Sequence, residues 1–414
     1  MMKKPGGIRN IRTFSSLKNS AYRIYFYGLL GQWASMNMQM VARSYLAYHL
    51  TGSGTILGLV SLANAIPMLV LSLPGGAIAD RIPKKYILVY TQLGSVLLTL
   101  GVALSLTFGY LSQENEGSWW VLVAASAIEG VFMGLMMPAR QAVISEIVER
   151  ELIMNAVSLN TMGMNALRIL APAATGFLIE GIGYEFVYYV ATGMYVLATI
   201  CMFLLPRTTV KYKGSGNALR DIADGMQYLK REKSILLVIV STFFMMLCSI
   251  PFMQLMPMFT EDILHVGESG MGILMSVSGA GAIIGSVMLA SLPSRKRGII
   301  MLSAGAVMAL ALVAFSFSAS WTLSIILVIF VGFGQASHRT AGNSLIQHYT
   351  EAEYRGRVMS FMMMEIGFSS LGVFFAGILA DVIGIQWSVG GLAILLIVVT
   401  VILVTATKRL RTME

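Results

Sequence analysis

Charge is scarce in this chain. Of 414 residues, 12% are Asp, Glu, Lys or Arg, where a soluble domain of ordinary composition has about 25%. Cysteine is nearly absent. The two present, Cys201 and Cys248, lie in apolar runs, which excludes a disulfide framework and gives no metal-ligand spacing. No nucleophile–base pair or metal-binding spacing stands out among the four histidines and the acids, so the sequence argues against an enzyme. Short segments of strictly alternating polarity are missing, which excludes an outer-membrane barrel. No added soluble domain of the kind a membrane sensor carries is visible.

What the chain has is apolar length. Hydrophobic residues make up 56%, in runs of the ~20 residues that a helix needs to cross a bilayer. Backbone groups in lipid must be satisfied within their own segment, so the runs are predicted to be helices. Twelve spans are expected, at 22–49, 55–79, 86–110, 119–140, 153–180, 185–206, 235–260, 269–292, 298–317, 321–347, 356–381 and 386–407. The first 20 residues are polar and basic, and no cleavable signal is expected. Residues 1–21 and 408–414 read as tails. Residues 207–234 form the longest polar stretch, a linker with a short amphipathic helix between Leu219 and Leu229.

The net charge of +9 is better explained by the positive-inside rule than by nucleic acid. Counted with the adjoining span ends, the two tails and the even-to-odd connections hold all but two of the 29 Lys and Arg, the exceptions being Arg43 and Arg168. The opposite connections, such as Leu111 to Ser118 and Glu261 to Glu268, hold none. Both termini are therefore expected in the cytoplasm. Two halves, 22–206 and 235–407, look like repeats. Gly176 to Gly183 closes the fifth span as Gly377 to Gly384 closes the eleventh. Gly285 to Arg297 is a degraded copy of Gly76 to Lys85, with Ala290 where the first copy has Asp80.

Gly75-Gly76-Ala77-Ile78-Ala79-Asp80-Arg81-Ile82-Pro83-Lys84-Lys85 closely resembles the loop between the second and third helices of the major facilitator superfamily. Leu50-Thr51-Gly52-Ser53, Met137-Pro138-Ala139-Arg140-Gln141, Asn155-Ala156 and Arg355-Gly356-Arg357-Val358-Met359-Ser360 extend the resemblance over nearly the whole chain. Their order is similar to that in the twelve-span drug:proton antiporters, the branch of macrolide efflux proteins and the enterobactin exporter. The resemblance implies an all-α membrane protein with twelve transmembrane helices in two pseudo-symmetric six-helix bundles. It implies a secondary transporter of the bacterial cytoplasmic membrane, with a cavity between the halves lined by the first, fourth, seventh and tenth spans. The expected partners are a small-molecule substrate, protons and the bilayer, without a cofactor, nucleic acid or a second subunit. The expected cargo is amphipathic or hydrophobic, of drug or siderophore type. A lipid or lysolipid translocase is the alternative. The thirty methionines admit a copper transporter as a further reading, or a pliable cavity wall.

Candidate site residues follow. The resemblance implies that Asp80, with Gly76, Arg81, Lys84 and Lys85, acts as a conformational latch. Its carboxylate would face the positive N-terminal end of the eleventh helix, while the basic residues are explicable by topology alone. Charges inside the membrane usually face a cavity or each other. Glu129, Arg43 and Arg168 are expected roughly 15, 10 and 18 Å deep from the outer ends. They could form one cluster, with Glu129 as proton carrier or as one member of a permanent ion pair. Glu365, His338 and Arg339 lie at a similar level and form either a proton relay or a structural tie. Gln32, Gln39 and Arg43 share a helix face, facing the cavity or a packed neighbour. Met36, Met133, Met253, Gln254, Met256 and Gln335 complete the candidate cavity wall.

Overall fold

The computed structural model describes residues 14–206, 218–292, 296–351, 354–407 and 413. Twelve long helices carry the fold: α1 Ser20–Thr51, α2 Gly54–Arg81, α3 Lys84–Thr107, α4 Trp120–Ile147, α5 Ile153–Gly181, α6 Tyr184–Leu204, α7 Lys233–Gln254, α8 Gly267–Ser291, α9 Arg297–Ser316, α10 Trp321–Tyr349, α11 Arg355–Ile383 and α12 Ile385–Ala406. Among the described residues 10 helices are long and apolar enough, by length and composition, to span a membrane. α1 carries Arg23, Gln32, Asn37, Gln39 and Arg43, which dilute its apolar character.

Local signals set the boundaries. The Asn19 side chain accepts from the Tyr22 N–H at 3.1 Å and starts α1, meeting one of the donors a helix start leaves open. Gly52 ends α1 in the left-handed conformation at φ 60°, which glycine adopts without a Cβ penalty. Two boundaries differ from the sequence expectation. The anticipated Gly76–Lys85 loop is mostly helix, because α2 continues to Arg81 and α3 begins at Lys84. Only Ile82 and Pro83 intervene, since proline suits a helix start but not a helix interior. The seventh span stops at Gln254, not 260, and a π-helical turn follows at Phe259–Ile263. Pro257 lacks an N–H, and its ring would crowd the carbonyl four residues back.

The packing repeats with a six-helix shift. In the first half α2 lies on α4, α3 on α4 and α6, and α1 on α5 and α6; in the second, α8 lies on α10, α9 on α10 and α12, and α7 on α11 and α12. The halves meet along α2–α11 and α5–α8. We call the end that holds the chain termini the termini face, and the other the far face. Near the far face Gly58 lies against the Phe374 backbone and Gly377 against the Gly54 carbonyl, so tightly that a Cβ at either would collide. Small residues permit this backbone approach in membranes.

Buried apolar residues form three clusters. The largest runs through both halves toward the far face, joining Met38, Tyr45 and Tyr48 to Phe252, Met256, Phe259 and Met271. Toward the termini face the cores are separate. One belongs to the first half, around Tyr22, Leu88 and Leu159. The other belongs to the second half, around Val238, Leu302 and Leu345. The bundles are thus fused at one face and packed individually at the other.

Candidate functional site

Two adjacent cavities lie between the bundles and share Met246 and Ile250. The first, of about 230 Å³, is lined by Met40, Arg43 and Ser44 of α1, Asn64 and Met68 of α2, Gln254 of α7, and Ser369 and Ser370 of α11. The second, of about 100 Å³, is lined by Arg168 of α5, Thr242, Ser249 and Met253 of α7, Gln335, His338 and Arg339 of α10, and Glu365 of α11. The walls come from α1, α2, α5, α7, α10 and α11. The expected contribution of the fourth span is missing from both cavities, because Glu129 of α4 is buried behind Arg43 and reaches the cavity only through it.

Arg43 and Glu129 form a tight ion pair, with Arg43 Nη1 donating to Glu129 Oε2. Arg168 does not join them. Its helix is turned toward the second bundle, where its guanidinium faces Arg339 and is repelled by it. The single Arg43–Glu129–Arg168 cluster is therefore corrected to a pair and a separate arginine. His338 and Glu365 share a cavity but not a hydrogen bond. His338 Nδ1 contacts the Met301 carbonyl at 2.9 Å, with Nε2 beside Ser241 Oγ at 3.5 Å. Glu365 Oε1 accepts from Thr242 Oγ1 at 2.6 Å, tying α11 to α7.

The glutamine stripe of α1 faces its own bundle. Gln32 is buried, its amide donating to Met136 Sδ at 2.9 Å and its carbonyl accepting from Gln92 at 3.3 Å. Gln39 is buried beside Ser35 Oγ at 3.4 Å. Met256 is fully buried in the far core, and half-buried Met133 packs on the first half's own core. Half-buried Met36 is absent from both cavity walls. Met253, Gln254 and Gln335 do line cavities, and Gln335 donates to Ser249 Oγ at 3.4 Å.

The Asp80 side chain lies outside the described residues. Its neighbours have definite places. Arg81 is exposed. Lys84 is buried and pairs with Glu146 of α4 at 2.7 Å. Lys85 Nζ donates to the Leu205 carbonyl at 2.6 Å, meeting the open end of α6. The two lysines thus hold the first bundle together. Gly76 has open space around it, whereas Gly75 touches the Gly134 carbonyl of α4. The glycine that close packing requires here is Gly75.

Residues not singled out from the sequence seal the far face. The Asp381 carboxylate, at the end of α11, accepts from the Gly54 N–H at 2.6 Å, the Thr55 N–H at 2.9 Å, Ser53 Oγ at 2.7 Å and Thr55 Oγ1 at 2.6 Å. An acid of one bundle thereby caps the first turn of a helix of the other, where backbone donors and the helix dipole favour negative charge. Tyr45 donates to Glu261, and Tyr48 to Asp262 at 2.5 Å. Tyr184 donates to Glu268 at 3.1 Å. Ser276 Oγ of α8 accepts from the Ala173 N–H of α5 at 3.1 Å and donates to the Ile169 carbonyl at 2.5 Å. The signal was present in the repeat, since Asp381 occupies the position of Glu180 in the first copy. The partner it would meet was not.

The family model of the Major Facilitator Superfamily matches residues 25–369 and 264–412. The chain belongs to this superfamily. It is a multi-pass membrane transporter for small molecules and not an enzyme. It is 23% identical over 368 residues to a staphyloferrin A transporter of Staphylococcus aureus, covering 88% of this chain and 90% of that one. It is 21% identical over 382 residues to macrolide efflux protein A of Streptococcus pyogenes, covering 89% and 92%. Among solved structures, a bacterial homolog of the human lysosomal transporter Spinster, inward-facing and unoccupied, shares the fold. The TM-score is 0.73 at 13% identity, with 98% of each chain covered.

Proposed function

We propose that this superfamily transporter is a proton-coupled exporter of amphipathic or hydrophobic small molecules, of drug or siderophore type, working by alternating access. The observation that carries the reading is the asymmetry of the interface. The bundles share one core and a set of hydrogen bonds at the far face but keep separate cores at the termini face, with charged cavities midway. The names of the efflux and siderophore relatives support the direction and the cargo type. The basic connections support a cytoplasmic termini face, and with that orientation this arrangement would admit cargo from inside the cell. Residues 22–206 and 235–407 would be the moving bodies, joined by the linker 207–234.

In the opposite state Asp80 would latch the termini face against the start of α11, while Asp381 lets go of α2. Glu129 is our proton carrier. Arg43, its partner, lines the cavity, so a proton on Glu129 would loosen the pair and be felt where cargo binds. Transport in proteoliposomes with an imposed pH gradient, screened over dyes, macrolides, siderophores and lysolipids, tests the reading. Gradient-dependent movement that Glu129→Gln abolishes is the expected result. Transport indifferent to the gradient for every cargo would remove proton coupling.

A further inference from the structure

The second cavity carries unbalanced positive charge. Arg168 from the first bundle and Arg339 from the second face it together. Neither guanidinium has a hydrogen bond or an ion pair among the described residues. The two repel each other across the gap between the bundles. Glu365 is the carboxylate on this wall; its charge is felt by Arg339, but its hydrogen bond goes to Thr242. His338 is committed to Met301 and Ser241 and is buried. In the neighbouring cavity Arg43 is already neutralised by Glu129. Two guanidiniums against a single carboxyl group leave at least one positive charge uncompensated. It sits roughly 20 Å inside the far end of α5, counting the rise from Gly181. A charge at that depth is costly without a counter-charge.

We propose that Arg168 and Arg339 form the binding site for an anionic group on the cargo, such as a carboxylate, sulfonate or phosphate, with the apolar body of the molecule resting on the methionines of α7. The proposal rests on the transport reading and narrows its cargo to amphipathic anions. The anion brings the cavity to neutrality, and guanidiniums are the side chains best suited to grip planar or tetrahedral oxyanions. Because the two arginines belong to different bundles, one anion touching both would draw the bundles together at mid-membrane. Met245, Met246 and Met253 supply an adaptable apolar wall beside the charges. A cationic amphiphile meets the same two guanidiniums as repulsion.

The test uses the purified full-length protein in detergent and two fluorescent probes with one body, pyrenebutyrate and pyrenebutyl-trimethylammonium, with binding read by anisotropy. Wild type is expected to bind the carboxylate at least tenfold more tightly than the ammonium. Arg168→Gln and Arg339→Gln should each weaken pyrenebutyrate tenfold or more. Glu365→Gln, which removes the opposing charge, should tighten it severalfold. Opposite responses on one cavity wall cannot come from loss of fold. Equal or tighter binding of the ammonium, arginine variants within twofold of wild type, or binding of neither probe above empty micelles would each overturn the proposal. The same probes in proteoliposomes separate the two readings. Arginine-dependent binding without transport would leave the anion site standing and remove the transport reading. Transport of the ammonium probe alone would do the reverse.

Discussion

Removing the carboxylate of Asp381 should open the far face. Its two oxygens accept four hydrogen bonds from Ser53, Gly54 and Thr55, and its charge sits at the start of α2. A hydrogen bond to a charged group contributes about 1.5–3 kcal/mol net, and a charge at a helix end about 0.3–1 kcal/mol. Asp381 is exposed, so water replaces most of the four bonds, and the net loss is about that of one such bond at its lower end plus the lower helix-end value. Asp381→Ala should therefore disfavour the far-closed state by about 2 kcal/mol, which is a shift of roughly thirtyfold in the closed-to-open ratio. Asp381→Asn keeps one carbonyl acceptor and should cost about half as much. The assay is double electron–electron resonance with spin labels at Glu116→Cys and Ala319→Cys, on far-face connections of the two bundles, in a Cys201→Ala/Cys248→Ala background. A second, longer distance should grow in the order wild type, Asn, Ala. An Ala variant with the wild-type distribution would show that the shared apolar core alone holds the face shut.

Three further outcomes follow from the same contacts. Tyr48→Phe removes a hydrogen bond to an exposed acid and should raise the open fraction less than Asp381→Ala in the same distance measurement. Gly377→Ala places a Cβ against the Gly54 carbonyl, so α2 and α11 must part, and the long distance should dominate; an unchanged distribution would mean the backbones relax freely. Glu129→Gln leaves half-buried Arg43 without its partner; breaking a fully buried pair costs about 3–5 kcal/mol, and the loss here should fall below that because Arg43 faces the cavity, whereas Glu129→Gln with Arg43→Gln should recover much of the thermal stability.

Much of this was legible in the sequence because the bilayer allows few solutions. The lengths of the apolar runs gave twelve helices, and the recurrence of Gly176–Gly183 at Gly377–Gly384 anticipated the repeated packing. What stayed hidden depends on which neighbour a residue meets. Gln32 and Gln39 share a face by periodicity, but that periodicity is the same whether the face looks at a cavity or at the helices of its own bundle. Arg168 shared its depth with Arg43 and Glu129, yet depth carries no direction, and α5 turns it toward α10. Asp381 meets Ser53 across 328 positions, a contact that no local pattern encodes. The α2–α3 boundary was missed for another reason. The charges after Gly76 looked like loop, but at the membrane surface charged residues continue a helix without penalty.

Counterflow tests alternating access most directly. Proteoliposomes loaded with excess unlabelled pyrenebutyrate and placed in a trace of the labelled compound, with no pH gradient or membrane potential, should accumulate label transiently above equilibrium, and Arg168→Gln should abolish the overshoot. Label that only equilibrates, no faster than in liposomes without protein, would contradict the account.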